Sequence, residues 1–176
     1  MEELKLREVI LAGHSLGGAI IQNLYHQSPN KITGLILVGT GGRLRVSPNI
    51  LDTLKCNHFK YLETLFVGAF SRVTSKDLIK KATVEASKVS AEVTFNDFSI
   101  CNNFDMLDKV HMIEVPCLII VGNEDNLTPV KYSEFFHKKI EQSMISVIQD
   151  AGHMVMIEKP KEVNSAIKNF INKYYN

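Results

Sequence analysis

The chain has 176 residues, a length that predicts one domain with room for a small insertion. Hydrophobic residues make up 45% and charged residues 22%, the balance of a globular protein with a buried core. The formal net charge of +1 excludes a general field for nucleic acid or for an anionic membrane surface, and Lys80-Lys81 and Lys138-Lys139 read as solvated helix faces.

Taken in order, residues 1–7 predict the last turn of a helix and a connector. Residues 9–12 are an apolar run without polar alternation, a strand covered on both faces. The chain then turns through Gly13-His14-Ser15-Leu16-Gly17-Gly18 into a helix over 19–27, with Ile20, Ile21, Leu24 and Tyr25 on one face. Residues 32–38 form a second buried strand, so the unit implies parallel strands with a right-handed crossover. Residues 43–112 contain no further strand of this kind. Helical spacing over 50–67, 75–89 and 91–102 predicts a helical insertion, with Ser75-Lys76-Asp77 as one helix start. The sheet resumes with a third strand at 117–121 and a turn-rich loop to Pro129. A helix over 131–140 and a fourth strand at 144–148 come next, and a helix over 161–174, started by Pro160, closes the chain. The division is therefore 1–42 for the first part of an α/β core, 43–112 for the helical insertion and 113–176 for the rest of the core.

Gly13-His14-Ser15-Leu16-Gly17 is a G-x-S-x-G nucleophile elbow in the context it requires, strand then sharp turn then helix. A serine hydroxyl becomes a useful nucleophile when it stands proud of a sheet with a base beside it and backbone N–H groups aimed at the developing oxyanion. The turn needs residues without bulk. Gly13 and Gly17 are expected to avoid collisions with the crossing strand or helix, and Gly18 adds room. An ordinary strand-to-helix turn is the plainer reading.

Asp125 follows the third strand and His153 the fourth. Strand carboxyl ends in an open parallel sheet share one edge, where ligands bind. Ser15, Asp125 and His153 are thus expected to converge, in the Ser, Asp, His order of α/β-hydrolases. Ser15 would attack an acyl carbon, His153 would carry the proton and Asp125 would orient the imidazole. The N–H of Leu16 would form half of the oxyanion hole. Asp125 also reads as a plain turn residue, with Glu124 and Asp150 as other acids for His153. His14 lines the elbow and is not the base. His26, His58, His111 and His137 lack ligand spacing, so no metal and no cofactor is expected.

The chain resembles the C-terminal portion of an α/β-hydrolase of the single-domain esterase, lactonase and haloperoxidase-like group. The resemblance rests on Gly13 to Gly18, on L-I-L-V-G-T from Leu35 and on Phe104-Asp105. It rests further on V-P-C-L-I-I-V-G-N-E-D-N-L-T-P from Val115 and on A-G-H-M-V-M-I-E-K-P from Ala151. It implies that the helical insertion caps the active site. It also implies that the first four strands of the family, and the loop donating the second oxyanion N–H, are absent. The nucleophile strand would then be a sheet edge. The expectations are a truncated fragment, half of a split protein, or a chain that self-associates or binds a complementing N-terminal half through that edge.

The function expected is a serine hydrolase acting on a small ester, lactone or thioester, against an incompetent fragment or binding module and a perhydrolase or haloperoxidase-type activity. Three cysteines without C-x-x-C spacing point to a reducing compartment, with Cys117 as core. No apolar stretch reaches the roughly 20 residues of a membrane span, and the start of the chain does not read as a signal peptide. The protein is expected to be cytoplasmic, with no membrane or nucleic-acid partner.

Overall fold

The computed structural model describes residue 3 and residues 5–175, with backbone only at 59 and 65–67. Glu3 and Lys5 lie in turns, and the rest of the expected helix end over 1–7 falls partly outside the described residues. Four parallel strands follow in the order β1 (Val9–His14), β2 (Ile32–Val38), β3 (Cys117–Gly122) and β4 (Ser143–Ile148). Each strand is separated from the next by helix, as parallel pairing requires. Ala12 pairs with Ile36, Leu37 with Ile119 and Ile120 with Ser146. Among the described residues β1 pairs with β2 alone.

Side chains of successive strand residues point to opposite faces, and both faces here are covered. Leu35, Leu37 and Ile119 pack with Ile21 and Tyr25 of α1 (Leu16–Gln27) and Phe136 of α6 (Val130–Lys139). Ile36, Val38, Leu118 and Ile120 pack with Val163 and Phe170 of α8 (Pro160–Tyr175). This two-sided burial explains why β2 and β3 carry unbroken apolar sequence.

One helix face differs from expectation. Ile21 and Tyr25 are buried, but Ile20 is 56% exposed. The buried stripe of α1 runs through Gly18, Ala19, Ile21, Gln22 and Tyr25, and Ile20 stands about 100° round the helix from Ile21.

Between β2 and β3 the chain passes through α2 (Pro48–Cys56), α3 (His58–Ala69), α4 (Lys76–Ala86) and α5 (Ala91–Asn103). The single helix expected over 50–67 is two. Asn57 adopts φ −157°, ψ 87°, and its side chain accepts a hydrogen bond from the Lys60 N–H at 2.9 Å. An asparagine that satisfies the first free N–H groups of a new helix competes well with continuing the old one. Ser75 and Ser90 cap α4 and α5 in the same way. These helices enclose their own core around Leu54, Tyr61, Leu62 and Phe70.

The two ends of the helical block meet. Arg43 and Asp105 form an antiparallel bridge, their side chains pair at 2.9 Å, and the Met106 N–H donates to Gly42 O at 2.7 Å. The ion pair is partly exposed and contributes about 0–1 kcal/mol, so the backbone bonds set the geometry. A short helix α7 (Val155–Glu158), unexpected from the sequence, lies between the His153 loop and α8.

Candidate active site

Ser15 sits between the end of β1 and the first turn of α1 with φ 52°, ψ −116°. A positive φ on a residue with a Cβ costs on the order of 1–3 kcal/mol and persists only where surroundings impose it. Here the Ser15 N–H donates to Val38 O at 3.0 Å, and Ser15 O accepts from the Gly18 N–H at 2.9 Å and the Thr40 hydroxyl at 2.8 Å. Its side chain makes no capping bond to α1. The residue therefore stands at a helix N-terminus, where free N–H groups and the helix dipole favour negative charge. Leu16, the first residue of α1, lies at this terminus.

Close approach explains two of the three elbow glycines. A Cβ on Gly13 would stand 2.3 Å from Gly17 O, and one on Gly18 would stand 2.5 Å from Thr40 Cγ2. The collision expected at Gly17 does not exist, because nothing lies within 4 Å of a Cβ built there. Gly17 lies about 100° round the helix from Gly18, away from Thr40.

Asp125 and His153 are 4% and 5% exposed, and His153 Nδ1 lies 2.9 Å from Asp125 Oδ2. Asp125 Oδ1 accepts from the N–H groups of Leu127 at 2.9 Å and Thr128 at 2.8 Å, and Oδ2 also accepts from the Thr128 hydroxyl at 2.7 Å. Burial alone would raise the Asp125 pKa. The His153 bond and charge and the Thr128 bonds outweigh it and hold the carboxyl below its usual range. The other acids weighed for His153 lie elsewhere. Asp150 is exposed in a turn with φ 53°, and Glu124 accepts from the N–H and Nε of Arg72.

The backbone of Gly152 and His153 is tied to three segments. Its N–H donates to Ala69 O at 2.7 Å, and its carbonyl accepts from His14 Nε2 at 2.9 Å. The preceding Gly152 N–H donates to Glu158 Oε1 at 2.8 Å, while Glu158 Oε2 accepts from the Ser71 N–H at 2.8 Å and the Thr74 hydroxyl at 2.5 Å. Gly39, with φ 48°, passes beneath both imidazoles, and a Cβ there would be 3.3 Å from His14 Nε2 and from His153 Nδ1. Burial, then the neighbouring His153, push the His14 pKa down to about 4.

Thr128 and Glu158 escaped sequence reasoning. Thr128 had a usable signal, because a carboxylate three residues ahead of a threonine is an Asx-type turn pattern. Glu158 had none, since its donors come from residues 71, 74 and 152. Among the described residues no group of three or more His, Cys, Asp or Glu side chains is arranged to hold a metal, and no helix is long and apolar enough to cross a membrane.

Ser15, Leu16 and His153 line one cavity of about 320 Å³, walled by Leu44, Phe98 and Met154. Its Cys101 thiol is pushed up to about 11, mainly by burial, and so stays neutral. The arrangement brings a hydroxyl, an imidazole with a buried carboxylate behind it and a helix N-terminus to an apolar hollow.

Comparison with known proteins agrees with this fold. The profile of the family described as serine aminopeptidase, S33, matches residues 1–160. A thermophilic esterase of known structure is 42% identical and superposes with a TM-score of 0.88, over 96% of this chain and 67% of that one. The pimeloyl-[acyl-carrier protein] methyl ester esterase of Wigglesworthia glossinidia brevipalpis is 27% identical over 96% of this chain and 71% of its own. A Mycoplasma genitalium protein provisionally named esterase/lipase 2 is 29% identical over 89% of this chain, which spans 61% of that protein. With a parallel sheet, an elbow serine and this likeness together, the chain belongs to the serine aminopeptidase S33 family of α/β-hydrolases.

Proposed function

We propose that the protein hydrolyses carboxylic esters through an acyl-enzyme on Ser15. The observation that carries the reading is the buried His153–Asp125 pair, 2.9 Å apart, at the cavity that Ser15 also lines. With Nδ1 committed to Asp125, the imidazole keeps Nε2 for the Ser15 hydroxyl proton. Ser15 Oγ adds to the ester carbonyl carbon, and His153 takes the proton. The tetrahedral oxyanion develops over the N-terminus of α1, where the Leu16 N–H is the first donor. As the C–O bond breaks, His153 returns the proton to the leaving alcohol. Water, deprotonated by His153, then releases the acid by the same steps in reverse.

The helices α2–α5 serve in this reading as the cap, since Ile50 and Phe98 of those helices, with Leu44 ahead of them, wall the cavity. A peptidase role needs a desolvated anion to hold the substrate ammonium. Asp97, the carboxylate of the cavity lining, is exposed, which favours an ester with an apolar acyl group.

The test is labelling with a fluorophosphonate and turnover of p-nitrophenyl esters. Wild-type protein is expected to label and to hydrolyse, and Ser15→Ala to do neither, with a loss of at least 10³-fold in kcat/KM. Labelling that persists in Ser15→Ala removes the assignment.

A further inference from the structure

We propose that Ile50 and Leu127 form a partition across a longer acyl channel, so that this pair sets the length of linear saturated acyl chain accepted. The inference rests on the ester-hydrolase reading above and adds the substrate class and its determinants.

A second cavity of about 360 Å³ adjoins the first at shared lining residues. Ile50, from α2, and Leu127, from the loop after β3, line both cavities, and among the described residues they are the ones the two linings share. Neither side chain is fully buried, and both pack against the core of the helical block around Leu54 and Tyr61. The second cavity is walled by α2 and α3, and Thr53, Lys60 and Thr64 stand along its lining. An acyl chain that passed the partition would thus run between two helices.

Size separates the two states. Ligand pockets occupy roughly 300–1,000 Å³. The first cavity alone, at about 320 Å³, sits at the bottom of that range and suits a short acyl group. With the second cavity joined, the space suits a chain several methylenes longer. The second cavity mixes Ile50, Tyr61 and Leu127 with exposed Asn49, Lys60 and Thr64, so each further methylene gains at most the roughly fourfold in affinity of fully apolar surroundings. Ile50 and Leu127 forgo that gain while their side chains fill the neck between the cavities. The walls of the first cavity suit hydrocarbon, being built of Leu44, Phe98 and Met154 with a neutral Cys101.

Gly68 provides an independent handle. It lies on α3, stands in the described lining of the second cavity and not of the first, and among the described residues nothing lies within 4 Å of the position a Cβ would take. A leucine at this position fills the second cavity, and replacing a helical glycine also favours the helix.

The experiment compares kcat/KM for p-nitrophenyl octanoate and butyrate in wild type, Ile50→Ala, Leu127→Ala and Ile50→Ala/Gly68→Leu. Wild type is expected to favour butyrate. Either alanine variant should raise the octanoate-to-butyrate ratio at least tenfold, and Gly68→Leu in the Ile50→Ala background should return it to the wild-type value. An unchanged ratio in whichever alanine variant folds, or a gain that survives Gly68→Leu, overturns the proposal. If no variant turns over either ester, the hydrolase reading fails separately. Calorimetric affinities for octanoate and butyrate then decide the partition, with the same tenfold gain in octanoate preference expected on Ile50→Ala and its absence overturning the proposal.

Discussion

At the scale of single residues, the site depends on polar groups that have given up water. Among the described residues the Asp125 carboxylate accepts four hydrogen bonds, and the one from another loop comes from His153. The Thr128 hydroxyl is 2.7 Å from Asp125 Oδ2 and 3.2 Å from His153 Nδ1, so it fixes the carboxylate plane against which the imidazole is read. A hydrogen bond to a buried charge contributes about 1.5–3 kcal/mol. Thr128→Val keeps the shape and removes the donor. It is expected to lower kcat by about tenfold to 100-fold with little change in KM, while Thr128→Ser retains most of the rate. Equal kcat for wild type and Thr128→Val, measured on one p-nitrophenyl ester, would reduce Thr128 to a packing role.

Among elements, the informative contact is between the His153 loop and the turn that follows α3. Gly152 lets them touch, because a Cβ there would lie 2.7 Å from Ala69 O and from Ser71 N. Glu158 bridges the same two segments. Gly152→Ala must push the loop off the turn, at a cost of about 1–3 kcal/mol. Its kcat is expected to fall further than that of Glu158→Gln, which keeps one acceptor oxygen. A thermal melt and a rate measurement on the same samples check this, and a Gly152→Ala variant with wild-type melting and rate would contradict it. The sheet was legible because two-sided burial writes itself as the apolar runs of β2 and β3. The meeting of Asp125 with His153 was legible because the loops after neighbouring parallel strands share a carboxyl edge. The break at Asn57 was hidden, since a capping side chain interrupts a helix without interrupting its apolar period. Glu158 was hidden for a related reason: two of its three donors are backbone N–H groups, which every residue but proline carries, and they come from distant residues, whereas Thr128 bonds Asp125 within one turn. Gly17 misled because the motif fixes a glycine at a place where this fold has open space.

For the whole molecule, the buried imidazole of His14 couples the site to global stability. Its neighbours from other elements are His153, with a ring centroid 4.6 Å away, and Asp125, whose charge opposes the shift. Burial first, then His153, lower its pKa from 6.5 to about 4, against the bond to His153 O and the Asp125 charge. An unfolded chain therefore binds a proton at this side chain between pH 6.5 and about 4 while the folded chain does not. With more protons on the unfolded state, the free energy of unfolding must fall as pH drops through that window. Full stability from this source is present above the unfolded value, and its loss reaches at most about 3 kcal/mol at the lower end. Asp125 acts at more acid pH, because its pKa is lowered from 3.8. Its contribution is present above the unfolded value and disappears as pH falls through the folded one. Two phases of acid destabilisation are thus expected, the upper from His14 and the lower from Asp125. His14→Gln retains an N–H donor for His153 O and has nothing to titrate. Urea midpoints measured from pH 7 to pH 4 should fall less steeply for His14→Gln than for wild type. Curves that fall in parallel across that window would mean that His14 is protonated in the folded protein and that burial does not hold it neutral.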